Sequence, residues 1–316
     1  MSSLRCHFLR FSFGAWAGLI LLGAQGITGT PLAAAAEIGP VVSTQWVADH
    51  LDDPTVRLVE IDDAAAPVYA SGHLPGAIGL VLQNDLMDPQ RRDWVSPSVL
   101  EKRAGRLGLS TEQTIVFYDA GGVGVSGLSS IYGYWVFKYR GAGNLTVLNG
   151  GLAKWKAESR AVTTEVPHYF GAEYDVAGTD VSLRTFRDAI LRSLPGHTLQ
   201  LLDVRTHKEF IGQANAPPGK DQNITMESGH IPGAKNILWS VALNASGTFK
   251  TKPALRQIYQ AYLKPGGAPI VTYCLRGERG VVTWFILHEM LGQKRVSLYD
   301  GSWTEWGNLV NVPIAR

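Results

Sequence analysis

The same ordered set of segments occurs twice in this chain, and that duplication constrains the fold more than any other feature. Val42-Ser43-Thr44-Gln45-Trp46 is answered by Val181-Ser182-Leu183-Arg184-Thr185, and Leu58-Val59-Glu60-Ile61-Asp62 by Leu201-Leu202-Asp203-Val204-Arg205. Ser71-Gly72-His73-Leu74-Pro75-Gly76-Ala77 returns as Ser228-Gly229-His230-Ile231-Pro232-Gly233-Ala234. Ile115-Val116-Phe117-Tyr118-Asp119 returns as Ile270-Val271-Thr272-Tyr273-Cys274, and a Leu-x-x-Gly turn followed by Trp155 returns as Leu298-Tyr299-Asp300-Gly301 followed by Trp306. The spacing is 157 positions for His73 and His230 and 155 for Asp119 and Cys274, which marks a duplicated domain and not a short solenoid repeat. Each copy alternates buried apolar runs with amphipathic stretches, the pattern of a mainly parallel α/β sheet flanked by helices on both faces. Residues 42–164 are expected to form the first domain and 179–316 the second. The stretch 165–178, polar and aromatic without a period, is expected to be a linker packed over the domains. A hydroxyl N-cap is expected ahead of a helix at the start of both copies.

The first 36 residues read as an export leader. Arg5 and Arg10 precede the apolar run from Phe11 to Leu22, and Ala33-Ala34-Ala35-Ala36 supplies small residues before Glu37. Phe11 to Ala36 is also long enough for a membrane anchor, but Gln25, Thr28, Thr30 and Pro31 interrupt it. The reading is therefore a cleaved leader and an exported, periplasmic or secreted protein without a membrane span. The leader carries no adjacent arginine pair, which favours the general export route. The whole chain has 29 basic and 27 acidic residues; losing Arg5 and Arg10 equalises them, so no basic surface suggests nucleic acid or anionic lipid. Losing Cys6 leaves Cys274 as the single thiol, which excludes an internal disulfide in the mature chain.

Cys274 stands between an apolar strand and the apolar segment Val281–Leu291, which is long enough for a helix that Gly292 would stop. A free cysteine thiol is mostly protonated at neutral pH. Backbone amides and a helix start, with Arg276 and Arg279 beside them, supply positive potential that favours a thiolate. A cysteine so placed is a candidate nucleophile. The second copy also has 25 positions from Arg205 to His230 where the first has 11 from Asp62 to His73; the extra length includes Ala216-Pro217-Pro218-Gly219-Lys220-Asp221, an irregular loop by composition.

Taken in order, Asp203-Val204-Arg205, Gly229-His230-Ile231-Pro232-Gly233-Ala234, Tyr273-Cys274-Leu275-Arg276-Gly277-Glu278-Arg279 and Tyr299-Asp300-Gly301-Ser302-Trp303-Thr304-Glu305-Trp306 resemble the tandem rhodaneses, the thiosulfate sulfurtransferases. The resemblance covers about residues 42 to 313. It implies two rhodanese-like domains, a silent first copy and a catalytic second one. It further implies that Cys274 takes a sulfane sulfur as a persulfide and passes it to a thiophilic acceptor such as cyanide. By the same resemblance Arg205 and Arg276 would contact the anionic donor, while Gly277, Glu278, Arg279 and Gly280 shape the loop and stabilise the thiolate. Arg276 stands where thiosulfate-using members carry a basic residue; mercaptopyruvate-using members usually carry a small one in a Cys-Gly-Ser-Gly loop.

The first copy serves as an internal control. It has Asp62 for Arg205 and Asp119 for Cys274, and its loop Ala120-Gly121-Gly122-Val123-Gly124-Val125 lacks a basic residue. His73 and His230, present in both copies, read as turn-formers, and Trp155 and Trp306 as core. Glu209, four residues after Arg205, would pair with it on a helix. The departures are Glu278, which leaves the loop at a net charge of +1, and Gly280-Val281 where many relatives have hydroxyls. A phosphatase cradle would need Cys-x5-Arg, and Cys274 to Arg279 is one residue short of that. A 3-mercaptopyruvate sulfurtransferase and a non-enzymatic sulfur carrier or thiol sensor, docking to a protein acceptor, are the other readings. No Cys/His cluster has metal-ligand spacing and neither copy has a nucleotide fingerprint, so neither metal nor cofactor is expected.

Overall fold

The computed structural model describes residues 38–90, 93–122, 128–263 and 266–316. The leader expected over residues 1–36 lies outside the described residues, as do Val123 to Val125 of the first-copy loop.

The first copy builds strands β1 (Val41–Val42), β2 (Val56–Asp62), β3 (Ile78–Val81), β4 (Thr114–Tyr118) and β5 (Leu145–Leu148) into one parallel sheet of order β1-β5-β4-β2-β3. Its helices are α1 (Thr44–Asp49), α2 (Pro97–Arg106), α3 (Ser129–Tyr139) and α4 (Gly151–Ala157). In the second copy β6 (Gln200–Asp203), β7 (Lys235–Asn236), β8 (Ile270–Tyr273) and β9 (Val296–Leu298) form a parallel sheet of order β7-β6-β8-β9. The helices there are α5 (Arg187–Ser193), α6 (His207–Phe210), α7 (Lys252–Tyr259), α8 (Glu278–Phe285) and α9 (Ser302–Trp306). Every residue of β8 is buried, as expected of a parallel strand covered on both faces.

The start of the second copy departs from expectation. In the first copy Ser43 caps α1, accepting the Trp46 N–H at 3.0 Å. In the second, neither Ser182 nor Thr185 caps a helix. Arg184 is drawn out extended to bridge Leu298, in the place β1 has beside β5, and Thr185 bonds the Ser297 hydroxyl at 2.6 Å. That edge pairing postpones α5 to Arg187, which starts behind Phe186 without a side-chain cap.

One apolar core runs through both copies. Phe117, Tyr134, Trp135 and Phe137 of the first belong to the same cluster as Phe249, Trp284, Phe285 and Leu287 of the second. α3 lies against α8, with the Tyr134 and Phe285 rings edge-on at 5.0 Å and Trp135 and Trp284 at 6.5 Å. An interface this apolar resembles a domain interior and disfavours independent motion of the copies. Residues 165–178 also pack down: the Tyr169 hydroxyl donates to Gly76 O at 2.8 Å, the Ala172 N–H to Gly105 O at 2.9 Å, and Tyr174 is buried beside Phe137.

The paired histidines hold chain ends in both copies. His73 bridges to Thr163 and stacks on Tyr69, while His230 bridges to Ala315 and stacks on Phe210. Trp155 and Trp306 are buried, each donating its indole N–H to a carbonyl a few residues on, Ala161 and Pro313. Among the described residues no helix is long and apolar enough to cross a membrane, and no His/Cys/Asp/Glu group could hold a metal ion.

Candidate active site

Cys274 directly follows β8, at the carboxyl end of the second sheet, where open α/β folds place their sites. It is buried, and its backbone is fixed from α9. The Cys274 N–H donates to Ser302 Oγ at 3.1 Å, whose own hydroxyl donates to Tyr299 O at 2.8 Å. The Trp303 N–H donates to Cys274 O at 3.0 Å, and Thr304 donates both its N–H and its hydroxyl to Leu275 O at 2.9 Å. The loop is therefore anchored through its carbonyls. The amides of Leu275, Arg276 and Gly277 meet no hydrogen-bond acceptor among the described residues, which leaves them for an anion or a polarised sulfur.

The turn into α8 is made at Gly277, whose φ of +91° suits glycine. Space demands glycine there as well: a Cβ would collide with the Tyr132 hydroxyl and lie 2.9 Å from Asp300 Oδ1. Gly280 serves packing, since a Cβ would lie 3.0 Å from Leu298 and 3.3 Å from the Tyr273 backbone. Its carbonyl accepts the Thr272 hydroxyl at 3.0 Å, tying α8 to β8.

The arginines divide in a way the sequence did not suggest. Arg205, expected to reach the donor, is fully buried and already paired. Its Nε lies 3.0 and 3.1 Å from the Asp203 carboxylate oxygens, its Nη2 donates to Asp203 and to Gly229 O, and its guanidinium stacks 4.6 Å from the Trp303 ring. Asp203 ends β6, and Arg205 two residues on pairs with it, so the two charges neutralise each other beneath the loop. Arg279 is also buried. It donates to Glu209 at 2.9 and 2.8 Å, a fork on a carboxylate, and to no loop carbonyl. Glu209 therefore pairs with Arg279 and not with Arg205. Thr206 holds the same carboxylate from the other side, through its N–H at 3.0 Å and its hydroxyl at 2.8 Å. Burial pushes the Glu209 carboxyl up, but Arg279 and Thr206 together more than offset this and leave it below the ordinary carboxylate value.

Arg276 alone among these cations reaches solvent, with 47% of its side chain exposed, and its Nη2 lies 3.5 Å from Glu278 Oε1. Glu278 is 20% exposed; burial raises its carboxyl above the ordinary value, with Asp63 and Asp300 adding and Arg276 opposing. Counting Glu209 removes the surplus positive charge expected of the loop, leaving its amides, the exposed Arg276 and the buried Arg279, which interacts electrostatically with Cys274, as the positive groups around the cysteine.

Several partners here are invisible to motif reading. Glu209 and Arg279 lie 70 positions apart, and Tyr132 and Asp300 lie 168 apart. Serine in the Asp-Gly-Ser-Trp run was legible, but its bond to the cysteine amide was not.

The first copy makes the matching structure without a thiol. Asp119 follows β4, buried, and accepts the Gly121 N–H at 2.9 Å and the Ser130 N–H at 2.8 Å. Its carbonyl accepts the Leu152 N–H at 2.8 Å, as Cys274 O accepts Trp303.

The chain matches the rhodanese-like domain family twice, over residues 43–158 and 188–309. It is 41% identical over 283 residues to the sulfur carrier protein TtuD of Thermus thermophilus, covering 87% of this chain and 96% of that protein. It is 39% identical over 281 residues to a putative thiosulfate sulfurtransferase of Haloferax volcanii, with the same coverage of 87% and 96%. Among solved structures, wild-type EanB superposes with a TM-score of 0.75 at 22% identity, over 87% of this chain and 69% of that one, a likeness of fold. With two matched domains and close relatives named for sulfur transfer, the chain belongs to the rhodanese family.

Proposed function

We propose that the protein is a thiosulfate sulfurtransferase that carries sulfur as a persulfide on Cys274. The observation that carries this reading is the pairing of a buried cysteine at the end of β8 with three loop amides that meet no acceptor among the described residues and one exposed arginine. The Cys274 thiolate attacks the outer sulfur of thiosulfate. An Sγ–S bond forms, the sulfur–sulfur bond of the donor breaks, and sulfite leaves with the electron pair. Cyanide or another thiophile then attacks the terminal sulfur, a carbon–sulfur bond forms in the cyanide case, and thiocyanate leaves the thiolate behind. The two displacements balance in atoms and charge. Splitting the transfer over a covalent intermediate makes each step easier, and amides around the terminal sulfur stabilise its negative charge.

Arg276 is the donor contact in this reading, swinging from Glu278 to the sulfonate oxygens, and Arg205 and Arg279 hold the frame. The relatives named as putative thiosulfate sulfurtransferases support this donor over 3-mercaptopyruvate. A second reading, a sulfur carrier that delivers to a protein acceptor, is favoured by the name of the Thermus thermophilus relative and shares the persulfide. Turnover separates the two. Wild-type protein incubated with thiosulfate should gain one sulfur, about 32 Da, and lose it to cyanide with continuous turnover. Cys274→Ser should gain none, and full activity in that variant would overturn the assignment. We further propose export with removal of residues 1–36; a mature N-terminus near Glu37 by mass measurement is the expected result, and an intact, membrane-bound leader is the contrary one.

A further inference from the structure

The Cys274 loop rests on a buried carboxylate that the silent copy holds in place. Asp300 sits in the strand-to-helix turn between β9 and α9, with its Oδ1 facing Gly277. Its carboxylate accepts the Tyr132 hydroxyl from α3 and the Trp94 indole N–H at 3.1 Å, both from the first copy. Arg184, the extended residue at the start of the second copy, adds a third donor at 3.1 Å and also pairs with Asp93. The Tyr132 hydroxyl occupies the space a Cβ at residue 277 would need, so this first-copy atom packs on the turn that opens the loop around Cys274.

The silent site shows what is missing when this device is absent. The structure shifts the sequence match by one residue, from Gly150 to Asn149 opposite Asp300. Phe117 pairs with Val147 as Thr272 does with Leu298. Asn149 and Asp300 each lie three residues before the N–H that caps the loop residue's carbonyl, at Leu152 and Trp303. Asn149 is held across the interface by the Phe249 N–H at 2.9 Å, so the crossing contact occurs in both directions. Only the cysteine-bearing side uses a charged acceptor with a tyrosine on it. Burial raises the Asp300 carboxyl, and Arg184 opposes that. A carboxylate buried at such an interface costs stability unless it is fully paired. The three donors provide that pairing, and the arrangement is explained if the position of the loop depends on it.

We infer that Tyr132 and Trp94 of the silent copy are positioning residues for Cys274, acting through Asp300 on the Gly277 turn. The first copy is thereby half of the catalytic apparatus although it carries no nucleophile. This rests on Cys274 being the sulfur-bearing residue and adds who sets its loop. The test is a double-mutant cycle of Tyr132→Phe and Asp300→Asn in the full chain, read by single-turnover sulfur loading from thiosulfate with rapid quench and mass measurement. Each single variant should load at least about tenfold more slowly at saturating thiosulfate, because small misplacements of a reacting group cost rate and not binding. The donor concentration giving half-maximal loading should stay within about twofold, and the double variant should be no slower than the slower single. Should Asp300→Asn fail to fold, Trp94→Phe replaces it on the same carboxylate. Loading at the wild-type rate in both singles, a change confined to half-saturation, or losses that multiply in the double would each overturn the inference. Wild-type protein that never acquires sulfur would instead remove the reading beneath it, a result the Tyr132 variant cannot produce.

Discussion

Asp119 and Cys274 follow equivalent strands, and the contrast between them sets the two copies apart. In the first copy the amides of Gly121 and Ser130 already have an anion, the Asp119 carboxylate, built into the chain. In the second copy the corresponding position is a thiol, and the loop amides of Leu275, Arg276 and Gly277 meet no acceptor among the described residues. Asp119 thus occupies two amides of its own copy, an arrangement that the thiol at Cys274 does not reproduce. Beneath each cradle the second difference lies. Asp203 has Arg205 as its neighbour, fully buried and fork-bonded, whereas Glu60 at the equivalent place faces Asp62. Burial, with Asp62 and Asp119 adding and the nearby Tyr118 hydroxyl opposing, pushes the Glu60 carboxyl up to about 7.

The hardest test of this contrast moves the nucleophile. Asp119→Cys introduced into Cys274→Ser should give no sulfur transfer by the cyanide assay, since the new thiol lacks an exposed arginine beside it. Turnover near wild type would show that the silent loop lacks only its cysteine. Next in size is the frame of the active loop. Arg279→Met leaves Glu209 buried and unpaired, and should lower stability by ~3–5 kcal/mol in denaturant titrations. Changing Glu209 to Met as well should restore part of it. If the single change is neutral, the pair does not hold the loop.

Glu60 sharpens the comparison through pH. Its carboxyl is raised in the folded state, so the folded chain favours the neutral form. Stability is then fully present below the unfolded value near 4.5 and falls as pH rises to about 7. The difference amounts to about 3 kcal/mol as an order of magnitude. Glu60→Gln should flatten this fall, giving similar denaturation midpoints at pH 5 and pH 8. An unchanged pH slope would mean the silent carboxyl is paired after all. The smallest effect concerns donor choice. Arg276→Ser should reduce the specificity constant for thiosulfate about tenfold relative to 3-mercaptopyruvate, the worth of one charge-assisted contact of roughly 1.5–3 kcal/mol. A constant ratio would place the donor contact elsewhere.

Sequence by itself determined the two-domain α/β plan, the position of Cys274 at a strand end, and the asymmetry between the copies. All of these depend on periodicity and on residues near each other in the chain. It also placed Arg276 in the loop, because a residue two positions from the cysteine cannot stray far from it. Tertiary structure alone decided which charges are free. Arg205 and Arg279 look alike in a motif, but burial obliges each to take a carboxylate, and the partner of Arg279 comes from 70 positions away. Asp300 likewise reads as a turn residue until the first copy folds Tyr132 and Trp94 onto it. Pairing of buried charge is settled by distances between segments remote in sequence, which no local pattern encodes.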